Sequence, residues 1–406
     1  MADLQVKGSK IALIDSGDNV VYELPDSSGS AGQALISNGT GKINYGGISI
    51  DAVLAAGNTS DRRASVTTAN IKVLKYGRGL GIPLPASGSQ STPTSHGYVS
   101  GGAVSILTSR DTIEKFNLDV GETNATDIAD LTVSRRDVSG QSSDTHGYTA
   151  GGTTSPSDPY ALYDIIDKFP FSSDANATDV GNLTQGFQNG CGHQSSTHGY
   201  VSGYGNTGVQ KYPFASDANA TEATRYTNGF NQAAGQSSST HGYNSGGAYP
   251  SNVPPAANLE EDRIDKFPFA NNSAASLVGD LSLARKSCVG IESDTAGLTC
   301  GGTKGYAPPS SLPFTAGILN RVDKFPFATD ANATDLSNLS AHCSQQAGIS
   351  GSNEGFVCGG QTNSGPSAPL SLKSNQIQRV SYVSSGLAFN IGDLTVAKSY
   401  AAGQEV

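Results

Sequence analysis

Apolar residues along this chain fall in short stretches, β-branched or aromatic in character, each bounded by glycine, serine, asparagine or proline. Long runs with apolar residues at the 3.6-residue helical spacing are missing, so the pattern predicts strands and almost no helix. Two strand phrases recur six times. The first is an aromatic or large apolar residue, two short residues and a glycine pair, as in His96-Gly97-Tyr98-Val99-Ser100-Gly101-Gly102. It returns at residues 147–152, 199–203, 242–247, 297–302 and 355–360, the third copy carrying Tyr204 in place of the second glycine. The second phrase is Ile166-Asp167-Lys168-Phe169-Pro170-Phe171, matched at residues 264–269 and 322–327 and more loosely around Lys115, Lys211 and Arg379. A period of roughly 50 residues belongs to propeller blades rather than to helical solenoids.

Spacing divides each repeat into two halves. From the lysine of the second phrase to the next aromatic position the distance is 33 residues (115 to 148), then 32 in four further copies (168 to 200, 211 to 243, 266 to 298, 324 to 356). From the glycine pair forward to the lysine position it is 13 (102 to 115), 16 (152 to 168), 7 (204 to 211), 19 (247 to 266), 22 (302 to 324) and 19 (360 to 379). One half is locked and the other free. Four strands explain this: strand A around residues 140–143, B at the glycine-pair phrase, C at the lysine phrase and D at Asn182-Leu183-Thr184. Links B to C and D to A then leave one face of the blade, so all the length variation lies on that face and the fixed turns on the other. The glycine pair lets a strand pass close to a neighbour and adopt positive φ where it leaves the blade. Residues 173–179, Ser-Asp-Ala-Asn-Ala-Thr-Asp, read as an Asx-rich turn.

An apolar strand ending in Gly-Gly, a variable loop, an aromatic strand and a leucine-containing strand together resemble the kelch repeat of β-propellers, over residues 86–406. The departure is the tryptophan that kelch units usually carry, since this chain has none. The fold class expected is therefore all-β, a propeller of four-stranded blades. A last A strand at residues 399–404 pairing with residues 98–102 gives six blades; seven result if residues 86–91 form an A strand and 52–85 supply a degenerate blade.

Residues 1–50 differ in character. Leu24 to Gly41 followed by Lys42-Ile43-Asn44-Tyr45 reads as a β-hairpin with Asn-Gly turn chemistry. The segment Ala31-Gly32-Gln33-Ala34-Leu35-Ile36-Ser37-Asn38-Gly39-Thr40-Gly41 looks like segments of bacteriophage tail fibres and related virion appendages, and Val53-Leu54-Ala55-Ala56-Gly57-Asn58-Thr59-Ser60-Asp61 is similar to another. The resemblance implies an N-terminal attachment segment (1–50), a connector (51–85) and a distal propeller that meets the host. It further implies location in the virion, contacts with other virion proteins through the N-terminal segment, and a homo-oligomer, with a trimer the form expected of fibres.

Composition sharpens the class. Only 36% of residues are hydrophobic and 15% charged, with 50 glycines, as in turn-rich all-β chains. A net charge of -10 with scattered basic residues argues against nucleic acid as partner. No apolar run of membrane-spanning length and no apolar leader is present, so neither membrane insertion nor secretion by the usual route is expected. The five cysteines include no CxxC pair and read as buried free thiols.

Candidate chemistry is sparse. His96, His146, His198 and His241 each precede Gly-Tyr and read as turn residues rather than metal ligands. Asp174, Asn176 and Asp179 have oxygen-ligand spacing for calcium, as do Asp330, Asn332 and Asp335, but lack the central glycine and terminal glutamate of an EF-hand loop; turn chemistry is the main reading, and no cofactor is expected. Lys115, Lys168, Lys211, Lys266 and Lys324 recur at equivalent positions, which marks blade-to-blade ion pairing or packing rather than catalysis. With no Gly-x-Ser-x-Gly, HExxH or phosphate-cradling loop, the chain is not expected to be an enzyme. A carbohydrate-active propeller stays as an alternative, with loop carboxylates such as Asp164 or Glu260. The variable loops carry Tyr160, Tyr163, Tyr249, Tyr306 and Phe314, aromatic residues suited to recognising a host glycan or protein surface.

Overall fold

The computed structural model describes residues 95–154, 161–203, 208–226, 231–250, 258–304, 317–362 and 372–406, and the backbone of five N-terminal strands. The chain divides into two compact units, Met1–Ser87 and Gly88–Val406.

In the first unit Asp3–Lys7, Lys10–Ile14 and Val20–Glu23 form a three-stranded antiparallel sheet. Ala34–Ser37 pairs with Ile43–Gly46, Ser37 standing opposite Ile43, and the Asn38-Gly39 turn read between them lies outside the described residues. Residues 51–85 lie outside the described residues.

The second unit is a propeller with six four-stranded antiparallel sheets among the described residues. Taken from the axis outward, blade I is Ala402–Glu405, His96–Ser100, Thr112–Asn117 and Thr126–Asp130. Blade II is Ser139–Ser142, His146–Ala150, Ile165–Pro170 and Thr178–Asn182; blade III is Cys191–Gln194, His198–Ser202, Gly208–Pro213 and Thr221–Arg225. Blade IV is Ala234–Ser237, His241–Ser245, Arg263–Pro268 and Ser276–Asp280. Blade V is Val289–Ser293, Ala296–Cys300, Arg321–Pro326 and Thr334–Asn338; blade VI is Ala347–Ser350, Glu354–Cys358, Gln376–Ser381 and Phe389–Asp393. Ring closure follows the six-blade reading: Ala402 opposes Ser100 and Glu405 opposes Gly97, so the last strand supplies the inner strand of blade I. One expectation shifts. The outer strand is not centred on Asn182-Leu183-Thr184 but runs over Thr178–Asn182, starting inside the stretch read as a turn. Leu183 follows the strand and is buried in the core, because it faces inward where the chain turns back toward the axis.

The two recurring phrases are halves of one contact. Tyr98 of blade I stacks on Phe171 of blade II at 4.8 Å, and the pairs Tyr148–Phe214, Tyr200–Phe269 and Tyr243–Phe327 repeat this at 4.8, 4.6 and 4.8 Å. Offset aromatic pairs of this kind bind beyond their buried area. Blades V and VI replace the pattern with Leu298 beside Tyr382 and an edge-on Phe116–Phe356 contact at 5.9 Å.

At the axis each inner strand presents one glycine: Gly403, Gly140, Gly192, Gly235, Gly290 and Gly348 in ring order. A β-carbon on any of them would collide with the carbonyl oxygen of the preceding member, Gly140 with that of Gly403 and so on around to Gly403 with that of Gly348. Glycine is required because six strands converge more closely than any side chain permits.

Candidate functional site

The glycine pair clamps the variable loops. In blade II both glycines have positive φ, 66° at Gly151 and 102° at Gly152, a conformation that side chains rarely adopt. Gly152 donates its N–H to the carbonyl of Phe187, in the link that leaves the same blade, at 2.9 Å. Its own carbonyl accepts from Tyr163 N at 2.9 Å, where the loop returns. The same closing bond joins Gly102 to Arg110, Gly247 to Glu261, Gly302 to Leu319 and Gly360 to Ser374, at 2.8 to 2.9 Å. Loop length is thereby uncoupled from blade geometry: any number of residues can be inserted between two points that the framework holds fixed. Beyond the clamps short ribbons extend the face, Ala103–Ser105 with Thr108–Ser109 and Ala248–Pro250 with Asn258–Glu260 among them.

Around the axis on the same face lies a ring that sequence reading missed. Asp137, Asn189, Gln232, Ser287, Gln345 and Tyr400, one before each inner strand, all have φ between 53° and 61°. Non-glycine residues adopt this region at a cost. Here hydrogen bonds around the ring hold it: Asp137 N donates to Tyr400 O at 3.0 Å, Tyr400 N to Gln345 O at 2.9 Å, Gln345 N to Ser287 O at 2.9 Å, Ser287 N to Gln232 O at 2.8 Å and Gln232 N to Asn189 O at 3.1 Å. The side chains continue it, Ser287 Oγ donating to Gln232 Oε1 at 3.1 Å and Gln232 Nε2 to Asn189 Oδ1 at 3.4 Å. On the opposite arc the Arg136 guanidinium lies 5.6 Å and the Lys373 ammonium 5.7 Å from the centre of the Tyr400 ring. Arg136 Nε is 3.4 Å from Asp137 Oδ2. Burial pushes the Asp137 carboxyl up to about 6 against the pull of Arg136 and Lys373. Burial, then Asp137, pushes the Tyr400 phenol up to about 12. Nothing in this arc acts as an activated nucleophile; it offers hydrogen-bonding groups and one titratable carboxyl.

Of the aromatic residues singled out from sequence, Tyr160, Tyr306 and Phe314 lie outside the described residues. Tyr163 is half-buried at the loop clamp rather than at a tip. Tyr249 lies in a ribbon strand with its backbone opposite Leu259. The structure adds exposed aliphatic residues to the same face: Ile106 and Leu107 between the two short strands of blade I, Leu162 beside the blade II clamp, and Leu372 in blade VI. Blades VI, I and II are contiguous around the ring. Glu260 is ion-paired with Lys286 at 3.2 Å, and the Asp164 carbonyl accepts from Leu183 N.

The opposite face is made of short, tied turns. Thr145 Oγ1 and His146 Nδ1 are 2.8 Å apart, and the pairs at 197–198 and 240–241 repeat this at 2.9 and 2.8 Å. Burial, then the neighbouring lysine, lowers the pKa of His146, His198 and His241. The recurring lysines reach the next blade: Lys115, Lys168 and Lys266 bond Asp174, Asp217 and Asp330 at 3.0, 2.5 and 2.5 Å. Asn176 Oδ1 accepts from Asp130 N at 3.1 Å, and Asp179 Oδ1 from Gly181 N at 3.1 Å. The oxygens of Asp174, Asn176 and Asp179 thus serve three different partners. Among the described residues no group of three or more His, Cys, Asp or Glu is placed to hold a metal ion.

All five cysteines are buried and unpaired. Burial pushes the Cys191 thiol up to about 12 and His193 down to about 4. These two sit with Ser202 and Asn244, Cys191 Sγ lying 3.2 Å from Ser202 Oγ. The set looks catalytic in composition but is closed off between blades. His193 occupies the position where Gln141, Gln236 and Gln404 each donate to the next blade, as Gln404 Nε2 does to Tyr148 O at 2.9 Å.

No protein-family profile matches the chain, and no curated protein matches it. Among solved structures, the one titled "Structure of YjhT" is similar with a TM-score of 0.56 and 12% sequence identity, over 72% of this chain and 97% of that one. At that identity the likeness speaks for the propeller fold alone.

Proposed function

We propose that the chain is a bacteriophage virion structural protein, a tail fibre or another appendage, whose N-terminal segment attaches to the particle and whose propeller turns its loop face to the host surface. One observation supports this reading most: in five of the six blades the variable segment begins at a glycine pair and ends one hydrogen bond away, all on one face, while the opposite face keeps short turns tied to neighbouring blades. A scaffold that lets one surface change without disturbing its core is what a diversifying recognition surface needs. The N-terminal resemblance to fibre segments supplies the viral context, and exposed Ile106, Leu107, Leu162 and Leu372 beside the polar ring supply contact surface for a glycan or protein.

The test exchanges residues 153–162 and 303–318 for those of another propeller loop on the intact particle. Adsorption or host range should change while the particle assembles normally. Unchanged adsorption would favour the second reading, an adaptor propeller between virion proteins. Deleting residues 1–85 should abolish incorporation, and incorporation of the truncated chain would refute the attachment role.

A further inference from the structure

Blade VI departs from the other blades at one turn. The link from its third strand to its fourth ends at buried Ala388, nine residues after Arg379, just as the links of blades II and V end at buried Ala177 and Ala333, nine residues after Lys168 and Lys324. In that frame Val383, Leu387 and Phe389 stand where blade II has Ser172, Asn176 and Thr178 and blade V has Ala328, Asn332 and Thr334. All three apolar side chains are exposed, at 85%, 63% and 45%. Leu387 also forgoes a bond that the other turns make: Asn176 Oδ1 accepts from Asp130 N of the preceding blade at 3.1 Å, and Asn332 Oδ1 from Asp280 N at 3.0 Å. Phe389 is held in place, for the Arg379 guanidinium lies 4.3 Å from the centre of its ring and is itself paired with Glu354 at 3.2 Å. Nothing in the propeller itself calls for this apolar patch, which marks a contact surface.

Charge, position and size point to a second copy of this chain as the occupant. The net charge is -10, and the turns of blades II, III and V carry Asp174, Asp217 and Asp330, so copies meeting by those turns would set like charges together. Residues 383–389 carry no charge, and this patch can meet its own equivalent without repulsion. The chain also enters the propeller nearby. Ser95 N donates to Asp119 Oδ2 at 2.9 Å and Ser95 O accepts from Leu118 N at 2.9 Å, in the corresponding turn of blade I, where Val120 is exposed as well. That turn is bonded to blade VI, Thr123 N donating to Ile391 O at 2.8 Å and Asn124 Oδ1 accepting from Asp393 N at 2.9 Å. Copies joined through the residues before Ser95 therefore have their blade VI patches within reach of one another. Three exposed side chains offer on the order of a few hundred Å², less than the roughly 800 Å² per partner of a stable free-standing interface. Such a patch suits partners already tethered, at the roughly millimolar effective concentration that a linker provides.

We propose that Val383, Leu387 and Phe389 form a self-association surface, on which blade VI of one copy packs against blade VI of a second copy joined to it through the N-terminal residues. The joining rests on the fibre-like reading of residues 1–50; the patch adds where the joined propellers touch. Packing the three side chains against their equivalents removes apolar surface from water, with the Arg379–Glu354 pair at the rim. The contact uses the turn face, so both loop faces stay open.

The experiment uses the full chain carrying Leu387→Cys, which adds an exposed thiol to five native cysteines that are all buried. A short bismaleimide should link copies to one another. Leu277→Cys, exposed on the outer strand of blade IV, should give no linked product. Adding Val383→Ser and Phe389→Thr to Leu387→Cys should lower the linked yield about tenfold or more, as expected when an aromatic anchor leaves a small interface. The melting temperature should not change, because blade II carries those residues at the same places. Light scattering of the wild type should give the mass of an oligomer. A monomeric mass overturns the proposal, while attachment to the particle is judged separately by incorporation. Equal linking in Leu277→Cys, or linking that survives Val383→Ser and Phe389→Thr, overturns it too. So does a reactive introduced thiol with no linked product, the result expected if another protein docks there. An introduced thiol that maleimide cannot reach in the unlinked chain also overturns it, and would assign the patch to residues 51–94 of the same chain.

Discussion

Arg135 Nη2 donates to Asp167 Oδ2 at 3.0 Å with both side chains fully buried, and this one pair fastens the loop face to the blade beneath it. The guanidinium also donates to Thr149 O at 2.8 Å, while Asp167 accepts from Thr132 N at 3.0 Å and from its hydroxyl at 2.7 Å. The Arg135 carbonyl in turn receives Gly102 N, so the charge pair and the loop clamp share one residue. Arg135→Met strands a buried carboxylate and should cost about 3–5 kcal/mol in chemical denaturation. Arg135→Met combined with Asp167→Leu should recover a large part of that loss, and Arg285→Met in blade V should cost less than Arg135→Met, because Arg321 Nε also lies 3.2 Å from Asp323 Oδ1.

A contrasting result is expected for the turn-face pair Lys115–Asp174, where Asp174 is more than half exposed. Solvent and salt screen such a pair, so Lys115→Ala should cost under about 1 kcal/mol, with a smaller effect still at high salt. Melting curves at two ionic strengths decide this.

Gly140→Ala should prevent closure of the propeller, because its β-carbon would lie inside the Gly403 carbonyl oxygen. Gly121→Ala meets nothing within 4 Å and should leave folding unchanged. Soluble yield and far-ultraviolet circular dichroism of the two variants separate an axial requirement from a general intolerance of alanine for glycine.

The buried imidazole makes an acid-side prediction. His193 titrates near 4 in the fold, below its ordinary value of 6.5, so between those values the unfolded chain binds more protons than the folded one. Its contribution to stability is complete above pH 6.5 and is lost as pH falls toward 4. His193→Gln, which places at this site the residue that three other blades use, should make stability less dependent on pH across that window. Denaturation midpoints at several pH values, wild type against variant, check the slope.

Glu292 should act in the opposite direction, since burial and then Glu405 push its carboxyl up. Its folded value of about 8 lies above the ordinary carboxyl value of 4.5, so stability should fall as pH rises between the two and level off above. Denaturation midpoints across that window should show Glu292→Gln removing the decline.

Much of the architecture was legible in the residues. Equal spacing from Lys168 to Tyr200 and from Lys266 to Leu298 exposed the blades, because the strand phrases meet across each joint and their separation cannot drift. The sparse Asn-Leu step misled about the outer strand, since Leu183 is apolar for burial beyond the strand rather than within it. Recurring lysines pointed to inter-blade pairing, and Lys115, Lys168 and Lys266 make it. The axial ring was not legible. Ser142, Gln194, Ser237, Glu292, Ser350 and Glu405 each stand two residues after an axial glycine, but they mix serine, glutamine and glutamate, and spacing alone does not show that they bond one another around the axis.

By itself, then, the order of residues determined the repeat, the strand class, the locked and free halves and the face on which variation collects, because each depends on spacing within one unit. Only the tertiary structure decided closure, the polar ring at Asp137 and Tyr400, and the meeting of Glu292 with Glu405. Those depend on which strand of which blade reaches the axis, and six distant segments become adjacent there only once the last strand has paired with the first blade.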